Sequence, residues 1–75
     1  MIRKRIDLEA TLDPSVNALY IKFAGPGANG VHRTVAAIPD SIYLDFDVHN
    51  RLIGIEFLDA KSTLPAQFLD NLNRV

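Results

Sequence analysis

The stretch Ile42-Tyr43-Leu44-Asp45-Phe46-Asp47-Val48-His49-Asn50-Arg51-Leu52-Ile53-Gly54-Ile55-Glu56-Phe57 decides the fold. Apolar residues stand at Ile42, Leu44, Phe46 and Val48, alternating with Tyr43, Asp45 and Asp47. After His49-Asn50 they return at Ile53, Ile55 and Phe57, alternating with Leu52, Gly54 and Glu56. Successive side chains of a strand point to opposite faces, so a period of two marks a half-buried strand. A two-residue turn at His49-Asn50 predicts Asp47 opposite Leu52, Asp45 opposite Gly54 and Tyr43 opposite Glu56, and Asn tolerates the positive φ such a turn needs. That register collects every Ile, Leu and Phe of the two strands, Leu52 apart, on one face.

Toward the N-terminus, Ile6, Leu8, Ala10 and Leu12 alternate with polar residues and predict a strand over residues 6–12. Asp13-Pro14-Ser15 is turn chemistry, since Pro presets φ and Asp bonds the backbone two residues on. A second strand, 18–23, puts Leu19, Ile21 and Phe23 on one face. Gly25-Pro26-Gly27-Ala28-Asn29-Gly30 breaks the pattern; it carries no lysine and opens no helix, so it is not a phosphate-cradling loop. A third strand is expected over 31–37, with Arg33 awkwardly on the face of Val31 and Val35, and the decisive pair gives strands over 42–48 and 51–57. Past Leu58, Leu64, Phe68, Leu69, Leu72 and Val75 recur at helical spacing, with Pro65 in a first turn and Ser62 or Thr63 to cap it. A helix over 64–73 follows. The fold class is therefore α+β, a small antiparallel β meander of four or five strands with a C-terminal α-helix, as one domain over residues 1–75.

Nearly half of the 75 residues (48%) are hydrophobic, which calls for a packed core rather than disorder. A core this small rarely supplies more than ~3–5 kcal/mol. With no cysteine, disulfides and thiolate zinc sites are excluded, and self-association is the expected reinforcement. The net charge of −1 offers no overall field for nucleic acid or a membrane surface. Arg3-Lys4-Arg5 reads as the solvated approach to the first strand. No apolar run long enough for a signal peptide or a membrane span follows it, so a soluble cytoplasmic protein is expected.

Leu12-Asp13-Pro14, then Asn17-Ala18-Leu19-Tyr20-Ile21, then Leu44-Asp45-Phe46-Asp47 and Arg51-Leu52-Ile53-Gly54-Ile55-Glu56-Phe57-Leu58-Asp59-Ala60 resemble the domain of unknown function 2283 family (DUF2283), small bacterial and archaeal proteins. The resemblance spans roughly residues 11 to 64. The chain departs from the family pattern at Asn17, where Asp is usual, and at Asn50, where Gly is usual. The resemblance implies an antiparallel meander and no assigned activity; an antitoxin-like role, neutralising a small toxin protein, rests on it alone.

Asp45-x-Asp47-x-His49-Asn50 with Glu56 imitates a calcium loop. Its central Gly is replaced by Asn50, His49 suits a hard cation poorly, and the flanks read as strands; the hairpin accounts for every residue without a metal. Asp45 and Glu56, diagonal on the outer face, could serve a small-molecule or metal-dependent enzyme together with Asp47, but paired-carboxylate chemistry needs a deep pocket. His32 and His49 show no spacing that brings Ser15, Ser41 or Ser62 to them for nucleophilic catalysis. No catalytic residue, cofactor or metal is expected. A protein-binding or assembly module acting as a homodimer accounts better for Tyr20, Tyr43, Leu52 and Gly54, which stand with Leu58 opposite the core face, and for Phe68 and Leu72 on the helix. A strand glycine such as Gly54 often marks the close approach of another group.

Overall fold

The computed structural model describes residues 1–6, 8–23 and 30–72. Five strands form one antiparallel sheet: β1 (Glu9–Asp13), β2 (Ala18–Lys22), β3 (Arg33–Ile38), β4 (Ile42–Phe46) and β5 (Leu52–Phe57). Two short helices follow, α1 (Ala60–Thr63) and α2 (Ala66–Leu72). The strand order is β1-β2-β5-β4-β3. β3, β4 and β5 make the meander, and the β1–β2 hairpin adds to it through β2 against β5. The expected loop over 25–29 lies outside the described residues, as does the end of the helix expected to reach residue 73.

The register lays the inward side chains in rows across all five strands. One row is Leu12, Leu19, Phe57, Ile42 and Ile38; the next is Ala10, Ile21, Ile55, Leu44 and Val35. Leu8, Phe23, Ile53 and Phe46 continue the alternation into a third. α2 covers only part of this face. The core proper is Leu19, Ala60 and Leu69, with Leu12, Ile21, Phe57, Leu64 and Leu72 packed around them. Leu44, Ile53 and Ile55, expected to be buried on the core face, are half-buried, since they lie outside the group packed around Leu19, Ala60 and Leu69.

Pairing sets the element ends. β1 begins at Glu9 rather than Ile6, where its partner β2 stops at Lys22, and Ile6 and Leu8, which carry a strand pattern, remain exposed. β4 ends at Phe46, and Val48, placed on the core face by its alternation, sits exposed in a loop. That loop holds three residues, not two. The amide of Asn50 donates to the carbonyl of Asp47 at 3.0 Å, that of Asp47 to the carbonyl of Arg51 at 2.9 Å, and Asn50 takes φ 62°. A type I turn closed by a left-handed residue needs one positive φ, whereas a two-residue turn needs two or a glycine. Phe46 therefore pairs with Leu52, and Ile53 bulges out before Asp45 meets Gly54 and Tyr43 meets Glu56 as expected.

The helix expected over 64–73 is α2, and a separate helical turn, α1, precedes it. Leu64 is extended (φ −124°, ψ 150°) because the ring of Pro65 excludes the helical region for the residue before it. Ser62 and Thr63, expected as caps, lie inside α1, whose N-cap is Asp59. Asn17 and Asp59 are both left-handed, with φ 54° and 51°. Asn17 Nδ2 donates to Asp59 Oδ1 at 2.9 Å, and the Ala60 amide donates to the Asn17 carbonyl at 2.8 Å, tying the β1–β2 turn to the start of α1.

Candidate functional site

The polar face of the sheet is organised by one carboxylate. Tyr20 Oη, from β2, donates to Asp45 Oδ2 at 2.9 Å, and Thr34 Oγ1, from β3, donates to Asp45 Oδ1 at 2.7 Å. To reach Asp45 on β4 the tyrosine crosses β5, and it does so over Gly54, whose bare backbone leaves the space for the ring. Desolvation raises the Tyr20 phenol to about 12, helped by the hydrogen bond to Asp45 and by the charges of Asp45 and Glu56, since each disfavours a phenolate. Glu56 stands directly opposite both Tyr20 and Tyr43.

Asp47 does a different job. Its Oδ1 accepts from the amides of His49 and Arg51, each at 2.9 Å, and its Oδ2 accepts from Arg51 Nε at 2.9 Å. The side chain is 5% exposed, screened by its own loop rather than by the core. The Arg51 amide holds its carboxyl pKa below the ordinary carboxylate range, opposed by desolvation and helped by the Arg51 side chain and the His49 amide. Beside it the Arg33 guanidinium lies 4.6 Å from the centroid of the Phe46 ring and donates to Asn50 Oδ1. This contact accounts for Arg33 on the inward face: its cation caps the open end of the core face.

Asp45, Asp47 and Glu56 thus do not converge. Both oxygens of Asp45 and of Asp47 are engaged by the fold, the first in a cross-strand brace and the second in a turn. Among the described residues no three His, Asp or Glu side chains form a group able to hold a metal ion. His32 and His49 are exposed at one end of the sheet, and the Ser15 hydroxyl donates to Asp13 Oδ1 at 2.6 Å.

The six interaction candidates divide between two faces. Tyr20, Tyr43 and Gly54 share the polar face, and Leu52, 39% exposed, stands at the bulge. Phe68 and Leu72 lie on α2 over the opposite face, where with Ile6, Leu8, Ala10 and Ile21 they line an apolar groove of about 350 Å³. Sequence reasoning missed the part Ile6 and Leu8 play there, because their alternation reads only as a strand.

The model of a family described as "Protein of unknown function (DUF2283)" matches residues 10–61, well over half of the chain. The chain belongs to this family. The match runs from β1 into the first half of α1, so it takes in the five-stranded sheet and the start of the helical segment, and α2 lies beyond it. No curated protein and no solved structure matches the chain. No helix among the described residues is long and apolar enough to cross a membrane.

Proposed function

We propose that this DUF2283 domain is a non-enzymatic assembly module that works as a homodimer, joined through the part of its apolar sheet face that α2 leaves open. One observation carries this. The chain exposes 5989 Å², against about 4,600 Å² for a compact monomer of its mass. The exposed first six residues and the half-open sheet face both contribute to that excess. A standard interface takes ~800 Å² from each partner. A two-fold pair is the commonest way to cover such a face. The surface on offer runs over Leu8, Phe23, Leu44, Phe46, Ile53 and Ile55. Of these, Leu8 and Phe23 are 45% and 43% exposed.

Light scattering over the micromolar range tests it. The expected mass is twice the chain's 8.3 kDa, falling toward one chain on dilution. Phe23→Glu should shift the protein to monomer while leaving its circular dichroism unchanged. A parent protein that stays at one chain mass at the highest concentration refutes the proposal. A mass of two chains that Phe23→Glu leaves intact moves the interface to another surface.

A further inference from the structure

The topology sorts the charges by end. At the end of the sheet holding the β4–β5 loop, the chain places Lys22 at the close of β2, Arg33 at the start of β3, and Arg51. Exposed Arg3, Lys4 and Arg5 lead into β1 there, and His32 and His49 are exposed at the same end. Six of the eight Lys and Arg residues belong to this end. Its described carboxylates are Glu9, opposite Lys22, Asp45, level with Lys22 across Gly54 and held by Tyr20 and Thr34, and Asp47, already held by Arg51 in the one ion pair among the described residues. The other end holds the β1–β2 turn, the β3–β4 turn and the link to α1. It carries exposed Asp13, Asp40 and Asp59 against Lys61. A net charge of −1 therefore conceals a basic end and an acidic end on a molecule whose longest extent is 34 Å.

We infer that the two copies of the dimer lie with strands reversed, the basic end of each against Asp13, Asp40 and Asp59 of the other; this rests on the homodimer proposed above. Two copies stacked on their open faces have two simple two-fold arrangements. With strands running the same way, the six cations of one copy meet the six of the other, and like charges across an interface are strongly disfavoured. Reversal turns the same charges into complementary pairs, twice over by symmetry. The ends lie farther apart than a Debye length at physiological salt, about 8 Å, so within one copy they do not neutralise each other.

The test is the dimer dissociation constant, measured by sedimentation from about 50 mM to about 500 mM salt, a range that shortens the Debye length roughly threefold. Weakening by tenfold or more is expected. The triple variant Asp13→Asn, Asp40→Asn, Asp59→Asn keeps side chains suited to turns and left-handed backbone, and Arg3→Glu, Lys4→Glu, Arg5→Glu alters exposed residues only. Each should weaken the dimer at low salt and flatten its salt dependence. A dimer indifferent to salt and to both variants overturns the reversed arrangement while leaving the homodimer standing. A monomer at every salt concentration removes both. A fluorescent DNA duplex that binds the parent but not the Arg3/Lys4/Arg5 variant, with dimerisation equal in the two, would assign the basic end to a polyanion and overturn the inference.

Discussion

The ring of Tyr20 occupies the place where Gly54 would carry a side chain: a β-carbon there would fall 1.9 Å from Tyr20 Oη and 2.3 Å from Cζ. Glycine in a strand interior forgoes packing and backbone entropy. Here an aromatic side chain from the neighbouring strand fills the gap and fastens to Asp45 beyond it, so the two residues form one unit. Gly54→Ala must lift the ring and break the bond to Asp45, and overpacking of this kind costs roughly 1–3 kcal/mol. In a Tyr20→Ala background the same change should be close to neutral, since Ala outranks Gly in a strand. Urea unfolding of the four proteins measures the coupling. Additive effects would mean that the ring does not lie over Gly54.

The raised phenol of Tyr20 fixes an alkaline limit to stability. An unfolded tyrosine ionises near 10 and the folded one near 12, so between those values the folded state holds a proton that the unfolded state has lost. The stabilisation is complete below pH 10 and fades as pH rises toward 12. Urea midpoints should fall across this window in the parent and fall less steeply in Tyr20→Phe. Absorbance at alkaline pH should show Tyr20 ionising later than a free phenol. An identical pH slope in the two proteins would contradict the Tyr20–Asp45 geometry.

The β4–β5 loop makes a separate prediction. Asn50 is left-handed, a conformation costing a residue other than Gly, Asn or Asp roughly 1–2 kcal/mol. Asn50→Val should cost about that much, plus the contact with Arg33. Asn50→Gly should fall within about 0.5 kcal/mol of the parent, because it frees the backbone while losing that contact. Thermal melts distinguish them, and equal melting temperatures for the Val and Gly variants would exclude the three-residue loop. Asp47 adds an acid-side dependence. Its carboxyl is held below its unfolded value, so its contribution is present above pH 3.8 and lost as pH falls through the folded value. Asp47→Asn should make the acid transition shallower.

Where one face of a segment is buried, the sequence spoke clearly. The alternation from Ile42 to Phe57 gave the pairing of Tyr43 with Glu56 and Asp45 with Gly54, because a one-residue slip would turn Leu44 and Ile55 into water. It failed at the loop, where the geometry depends on which side chain can bond the backbone, and Asp47 does so twice. It failed at Ile6 and Leu8 because a strand lasts only as long as its partner, and the length of β2 is not written in β1. The neighbourhood of β2 and β5 is set by long-range packing with no local signature, and with it the meeting of Tyr20, Gly54 and Asp45. Pro65 was legible as a helix start; its effect on Leu64, which separates α1 from α2, follows from the same ring and went unread.

The last prediction separates the core of one chain from the interface proposed between two. Leu19 is 1% exposed within a single chain, so Leu19→Ala removes buried methyl groups whatever the oligomeric state, at a cost of about 2–5 kcal/mol. That is comparable to the whole stability expected of a core this small. The variant should melt far below the parent at every concentration. Leu44 stands in the second inward row and is half-buried, outside the group packed around Leu19. Leu44→Asp should act mainly by uncoupling the copies, because a charge on that surface must be stripped of water before a partner can cover it. Its melting temperature should be independent of concentration. The parent's should climb with concentration, as mass action requires of a chain stabilised by its own copy. Differential scanning fluorimetry over a hundredfold concentration range gives both slopes. A parent whose melting temperature stays level, or a Leu44→Asp protein that retains the parent's slope, would show that the open sheet face is not where the copies meet.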